Sequence, residues 1–160
     1  MDETWDGLES PQEYVQRLAL LKAHAARRSV ADQAWPVLAA DTAVVLDGQI
    51  LGKPKDRRDA LSMLERLSGR SHQVLTAVAV VNEREAVRIS ISSVTIAAIT
   101  AAQQAAYVAT GEADDKAGAY AIQGRAAVLI ERVEGSYSGV MGLPLFETAE
   151  LLRGCGIKVL

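Results

Sequence analysis

Apolar and polar positions along the chain repeat with two different periods, and the changes between them mark out its elements. Ser10-Pro11-Gln12-Glu13 is a helix start, with Ser10 as N-cap, Pro11 in the first helical position and Glu13 closing a capping box. Tyr14, Leu18, Leu21 and Ala25 follow at helical spacing and predict a core-facing stripe with Lys22 beside it. Either the Lys22 stem covers the core edge while its head stays in water, or the ammonium serves a phosphate; periodicity leaves both open. After Pro36 the small apolar run Leu38-Ala39-Ala40 delivers Asp41, continues β-branched through Val44-Val45, and reaches Asp47-Gly48. Asp-Gly between apolar runs predicts a tight hairpin, because both central residues accept positive φ. The return run ends in Gly52-Lys53-Pro54.

Asp56 then predicts an N-cap for a helix over 57–67, with Ala60, Leu61, Leu64 and Leu67 inward and Ser68-Gly69 as its stop. Residues 73–81 read as a buried strand, opened by a structural histidine, His72. Asn82-Glu83-Arg84-Glu85 makes a turn, and the next strand changes phase between Val87, Ile89, Ile91 and Val94, Ile96. That change predicts a bulge near Ser92-Ser93. Thr100 and Gln103 form a second capping box for a helix to Thr110. Residues 111–124 are too polar and Gly-rich for an element interior and read as a loop able to carry binding residues. An apolar strand over 126–133, a polar loop at Gly135-Ser136-Tyr137-Ser138-Gly139, a helix from Pro144 to about Leu152 and an edge strand over 157–160 complete the reading. Strands alternating with helices, and at least one antiparallel hairpin, predict an α/β fold: a mixed sheet flanked by helices, with a cleft at one sheet edge. Residues 1–160 read as a single domain.

Composition narrows this picture. Aromatic residues make up only 4% of the chain, so the core must be built from Val, Ile, Leu and Ala. A net charge of −3 without a basic tract argues against a nucleic-acid backbone binder; Arg27-Arg28 and Arg57-Arg58 are isolated pairs. Cys155 is the only cysteine, which excludes an internal disulfide and a cysteine-based zinc cage. No apolar stretch is long enough to span a bilayer, and the N-terminus carries acids where a signal peptide needs bases, so the expected location is the cytoplasm.

The chemistry gathers around the hairpin. Asp41 and Lys53 lie about equally far from the turn, so folding brings a carboxylate and an ammonium to one end of the sheet. Such a pair can bind a metal ion and a phosphate, or form an edge salt bridge. Glu3 and the Asp114-Asp115 pair add ligands for hard cations, Lys22 and Lys116 add phosphate charge, and Gln123 can read a base edge. The histidines are only His24 and His72, and neither a Ser-His-Asp arrangement, a P-loop nor a GxGxxG is present. Carboxylates and lysines without a covalent nucleophile point to metal-assisted attack of water on phosphorus.

A series of ordered motifs sharpens that reading. Asp2-Glu3-Thr4, Tyr14-Val15-Gln16-Arg17-Leu18-Ala19 with Lys22-Ala23, Ala40-Asp41-Thr42, Gly52-Lys53-Pro54, Leu67-Ser68-Gly69-Arg70-Ser71-His72-Gln73-Val74, Tyr107-Val108, Asp115-Lys116-Ala117-Gly118-Ala119-Tyr120, Ile122-Gln123-Gly124, Gly135-Ser136-Tyr137 and Gly142-Leu143-Pro144-Leu145 run the length of the chain. In these the sequence resembles the Maf family of nucleoside triphosphate pyrophosphatases, once named for septum formation. The resemblance implies a fold shared with the inosine triphosphate pyrophosphatases. It also implies cleavage of a nucleoside triphosphate between the α and β phosphates, with a divalent cation, Mg2+ or Mn2+, and a possible homodimer. It makes Asp41 the general base and a metal ligand, Glu3 a metal and phosphate-site carboxylate, and Lys22 and Lys53 phosphate-site cations.

Branches of that family differ at selectivity positions that fall on Thr42 and Gln123 here. Both match the branch preferring dTTP and UTP; the 7-methyl-GTP branch tends to Gln after the acid and Ser-Glu-Gly in place of Ile-Gln-Gly. The Gln123 amide offers a donor and acceptors, which suits the imide edge of uracil or thymine. Family members begin with a strand and a Ser-x-Ser-Pro-Arg-Arg loop about thirty residues before the Asp-Glu motif, whereas this sequence starts at Met1-Asp2-Glu3. The expectation is therefore a dTTP/UTP pyrophosphatase, with a catalytically weak nucleotide-binding or regulatory paralogue as the alternative.

Overall fold

Residues 4–30 and 34–160 are described in the computed structural model of the chain. The first element, α1 (Pro11–Ser29), starts as the sequence dictates: Ser10 N–H donates to Glu13 Oε2 at 2.8 Å, and Glu13 N–H donates to the Ser10 hydroxyl at 3.3 Å. Its buried face is turned by about one residue from the expected stripe. Val15, Leu18, Ala19 and Ala23 are buried, whereas Leu21 is 38% exposed and Tyr14 and Ala25 sit at the margin. The cause lies in the sheet beneath, which presents Ala43, Ala77 and Ala79 to the helix. Alanines on both sides let helix and sheet approach closely, and the larger Tyr14 and Leu21 are left to the flanks.

The sheet comprises β1 (Val37–Leu46), β2 (Gln49–Leu51), β3 (Ser71–Val81), β4 (Glu85–Ile96) and β5 (Ile130–Glu134), ordered β2-β1-β3-β4-β5. The hairpin joining β1 to β2 turns through Asp47 at φ 52° and Gly48 at φ 76°, the two positive angles that its residue types permit. The α/β layering matches the sequence reading; the mixed strand direction does not, because all four pairings among the described residues are antiparallel. Tight turns at 47–48 and 82–84 account for two of them.

Helices α2 (Arg57–Leu67), α3 (Ala101–Val108), α4 (Tyr137–Met141) and α5 (Leu145–Gly154) complete the order. Opposite α1, the second face of the sheet packs Val44, Leu46, Val74, Val94 and Ile96 against Leu64, Leu67 and Tyr107 of α2 and α3. Leu151 of α5 covers Val78 and Val80. Coverage of both faces also explains the phase change in β4. Pairing with β3 runs unbroken from Ser71↔Thr95 to Val81↔Glu85, so no bulge exists at Ser92-Ser93. Val87 and Ile89 pack on the α1 side, and Val94 and Ile96 on the other. The one irregularity, at Thr95/Ile96, faces β5.

Three further expectations change. Residues 125–129 form a short 3-10 turn before β5, with Val128 88% exposed. The polar stretch at 135–139 enters α4, where the Ser136 hydroxyl accepts from Gly139 N–H at 2.9 Å as an N-cap. Residues 157–160 pair with no strand among the described residues.

Candidate active site

β2 pairs only with Val44, Val45 and Leu46, so among the described residues the outer edge of β1 at 37–43 has no strand beside it. A cavity of about 270 Å³ opens around that edge. Side chains alternate across a strand, so Asp41 shares the α1 face with Ala39 and Ala43, while Thr42 shares the opposite face with Ala40 and Val44. The open edge lets both faces contribute to one cavity, whose lining includes Lys22, Asp41, Thr42, Lys53, Lys116 and Gln123.

Asp41 is only 8% exposed, and its Oδ1 accepts from Lys22 Nζ at 2.5 Å. Lys22 reaches it from α1 with its side chain 33% exposed, so its ammonium is neither wholly in water nor aligned with the buried stripe. Of the two alternatives open for Asp41 and Lys53, the edge salt bridge is not formed; Asp41 pairs with Lys22 across the helix–sheet interface. Lys53 follows β2 and is exposed at the cavity mouth. Asp115 also lines the cavity; hydrogen bonding and charge from Lys116, 2.7 Å away, hold its carboxyl below the ordinary range. Asp114 does not line this cavity. Glu3 lies outside the described residues.

The loop bearing Lys116, Tyr120 and Gln123 is clamped onto the β1–β2 hairpin. Gly118 N–H donates to the Gly52 carbonyl at 3.1 Å, and Gly118 has φ 70°. A Cβ at Gly118 would lie 2.9 Å from Val44 Cγ1, closer than carbon atoms pack, so only glycine admits this approach. Behind the cavity His72 Nε2 meets the Tyr120 hydroxyl at 2.7 Å, with the rings edge to face. Burial pushes the His72 imidazole down to about 4 and the Tyr120 hydroxyl upward. His72 is therefore neutral near pH 7, and its buried Nδ1 has no hydrogen-bond partner among the described residues.

The sequence reading passed over Thr76. Its hydroxyl lies 2.9 Å from the Thr42 hydroxyl, in a direct cross-strand pair, and donates to the Gly139 carbonyl at 2.7 Å. One signal was available: Thr76 is the only hydroxyl residue inside the apolar run 74–81.

A buried carboxylate and three lysines lining one cavity can hold a polyanion, and among the described residues that line it no group with a neighbouring general base stands ready as a covalent nucleophile. Among the described residues no three His, Cys, Asp or Glu side chains cluster as a metal cage. That donor set still fits a hard cation arriving with phosphates, which typically takes one or two protein carboxylates and fills its remaining positions from phosphate and water.

Residues 1–155 match the family described as Maf-like protein. The chain is 57% identical to the dTTP/UTP pyrophosphatase of Cupriavidus pinatubonensis over 94% of its own length and 77% of the relative's. To the protein of that name in Alkalilimnicola ehrlichii it is 55% identical, over 95% and 77% of the respective lengths. To that in Methylobacillus flagellatus it is 52% identical, over 99% and 80%. No helix among the described residues is long and apolar enough to cross a membrane.

Proposed function

We propose a function from one premise: the chain belongs to the Maf-like protein family. It is a nucleoside triphosphate pyrophosphatase that hydrolyses dTTP and UTP to the monophosphate and pyrophosphate. The observation that carries this reading is the convergence of Lys22, Asp41, Lys53, Lys116 and Gln123 on one cavity at the open edge of β1. Residues 1–160 belong, in this reading, to one Maf-like nucleotide pyrophosphatase domain.

In this reading Lys22 and Lys53 bind phosphate oxygens and stabilise the charge that accumulates as the bridge between the α and β phosphates breaks. Asp41 takes the proton from water as its oxygen adds to phosphorus, and pyrophosphate departs with the electrons of the broken P–O bond. The Lys22 contact holds the Asp41 carboxylate in one orientation at the cavity wall. Thr42 and Gln123 face the base. A divalent cation, Mg2+ or Mn2+, would be held by Asp41 and Glu3; when bound it neutralises phosphate charge.

Product analysis tests the reading. Incubated with dTTP and Mg2+, the protein should yield dTMP and pyrophosphate in equal amounts. Formation of dTDP and inorganic phosphate, or no turnover of dTTP or UTP with Mg2+ or Mn2+, would refute it.

A further inference from the structure

The hydrogen-bond chain behind Thr42 has a direction. Thr76 is fully buried at 0% exposure, so its hydroxyl has no water to turn to. Its contact to the Gly139 carbonyl at 2.7 Å consumes the single proton it owns, because a carbonyl oxygen only accepts. In the 2.9 Å contact between the two threonines the donor must therefore be Thr42. With its own proton committed, Thr42 has only lone pairs left to offer the cavity.

The far end of the chain is equally fixed. Gly139 belongs to α4, and a Cβ there would come 2.8 Å from Ser90 Oγ, so the helix rests directly on β4. The Gly139 carbonyl also accepts from Gly142 N–H at 3.0 Å. Strand register supplies the remaining constraint, since Thr42 and Thr76 are direct partners in the β1–β3 ladder.

We infer that Thr76 is a specificity-positioning residue: it locks Thr42 as a hydrogen-bond acceptor, so that the cleft takes bases carrying an N3–H, uracil and thymine, and rejects cytosine. The inference rests on the function proposed above. Cytosine carries a lone pair at N3, and two acceptors brought face to face repel. Gln123 cannot make this distinction alone, because an exposed amide can rotate by half a turn to offer either its oxygen or its NH2. Thr42 cannot follow it while Thr76 holds its proton.

The test uses two readouts on the intact chain: turnover of UTP and CTP with Mg2+, and calorimetric binding of their α,β-imido analogues. In Thr76→Val the strand keeps a β-branched residue of similar shape, the Thr42 proton is released, and Thr42 can donate to cytosine N3. The preference for the UTP analogue over the CTP analogue should fall at least about tenfold, the scale of one reversed hydrogen bond. Thr76→Ser keeps the hydroxyl and should keep the wild-type preference. In a Thr42→Val background, Thr76→Val should leave the ratio unchanged, which separates this role from mere loosening of α4. The inference is overturned if Thr76→Val retains the wild-type ratio, if it lowers the ratio as much without the Thr42 hydroxyl, or if the wild type binds both analogues equally. Failure of the wild type to turn over UTP, with preferential binding of its analogue intact, would sink the proposed reaction and leave the role of Thr76 standing.

Discussion

Substituting Gly118 by Ala tests how the cavity wall is built. Two costs can be read from the structure. At φ 70° an L-residue is strained by roughly 1–2 kcal/mol. The new Cβ would also meet Val44 at 2.9 Å from Cγ1, 3.1 Å from Cγ2 and 3.2 Å from Cβ. Overpacking of this kind costs about 1–3 kcal/mol; Val44 borders the cavity, but it is only 3% exposed and its β-branched side chain is stiff at χ1, so it cannot turn away freely. Gly118→Ala should therefore lose about 2–5 kcal/mol in urea unfolding. Val44→Ala removes the two nearest of these atoms but leaves the backbone angle. In that background Gly118→Ala should cost only about 1–2 kcal/mol, a coupling that a double-mutant cycle resolves. Because Lys116, Tyr120 and Gln123 ride on the same loop, KM for dTTP should rise in the single mutant and partly recover in the double. Equal destabilisation in both backgrounds would refute the contact with Val44 as the reason for glycine.

Gln123→Glu should reduce kcat/KM for dTTP and UTP by roughly ten- to a hundredfold, because a carboxylate facing carbonyl acceptors replaces a hydrogen bond with repulsion. CTP, whose amino group can donate to that carboxylate, should be hurt less; equal loss for every nucleotide would exclude Gln123 as a base reader. Acid stability should follow His72, whose folded value is lowered by burial from 6.5 to about 4. The unfolded chain binds its proton first, so this contribution is complete above pH 6.5, declines as pH falls towards 4, and amounts to at most about 3 kcal/mol. Urea midpoints followed across that window should slope less steeply in His72→Gln, and parallel slopes would show that His72 is not the titrating group.

Much of this arrangement was legible before any fold was known, because it is local. Ser10 to Glu13, Asp56 and Thr100 announce their helices through hydrogen bonds spanning three residues, and Asp47-Gly48 announces its turn through φ alone. Errors arose where a neighbour distant in sequence decides. The buried face of α1 is set by alanines in β1 and β3, and the phase of β4 by helices on either side of the sheet. Asp41 stood out in the sequence, but the residue 2.5 Å from it is Lys22, nineteen positions away on another element. Thr76 was hidden for the same reason: inside an apolar run it reads as a strand former, and only the register with Thr42 gives its hydroxyl a direction.

The central claim is that the carboxylate at the open edge of β1 drives the chemistry, and Asp41→Asn examines it most directly. The substitution keeps the shape of the side chain while removing its charge and basicity. Pyrophosphate release from dTTP with Mg2+ is measured beside a urea unfolding curve, since the Lys22 contact is weakened as well. The account predicts a fall in kcat of at least about a hundredfold, the typical contribution of a general base, with a cooperative unfolding transition retained. A folded Asp41→Asn protein releasing pyrophosphate within a few-fold of the wild-type rate would contradict it.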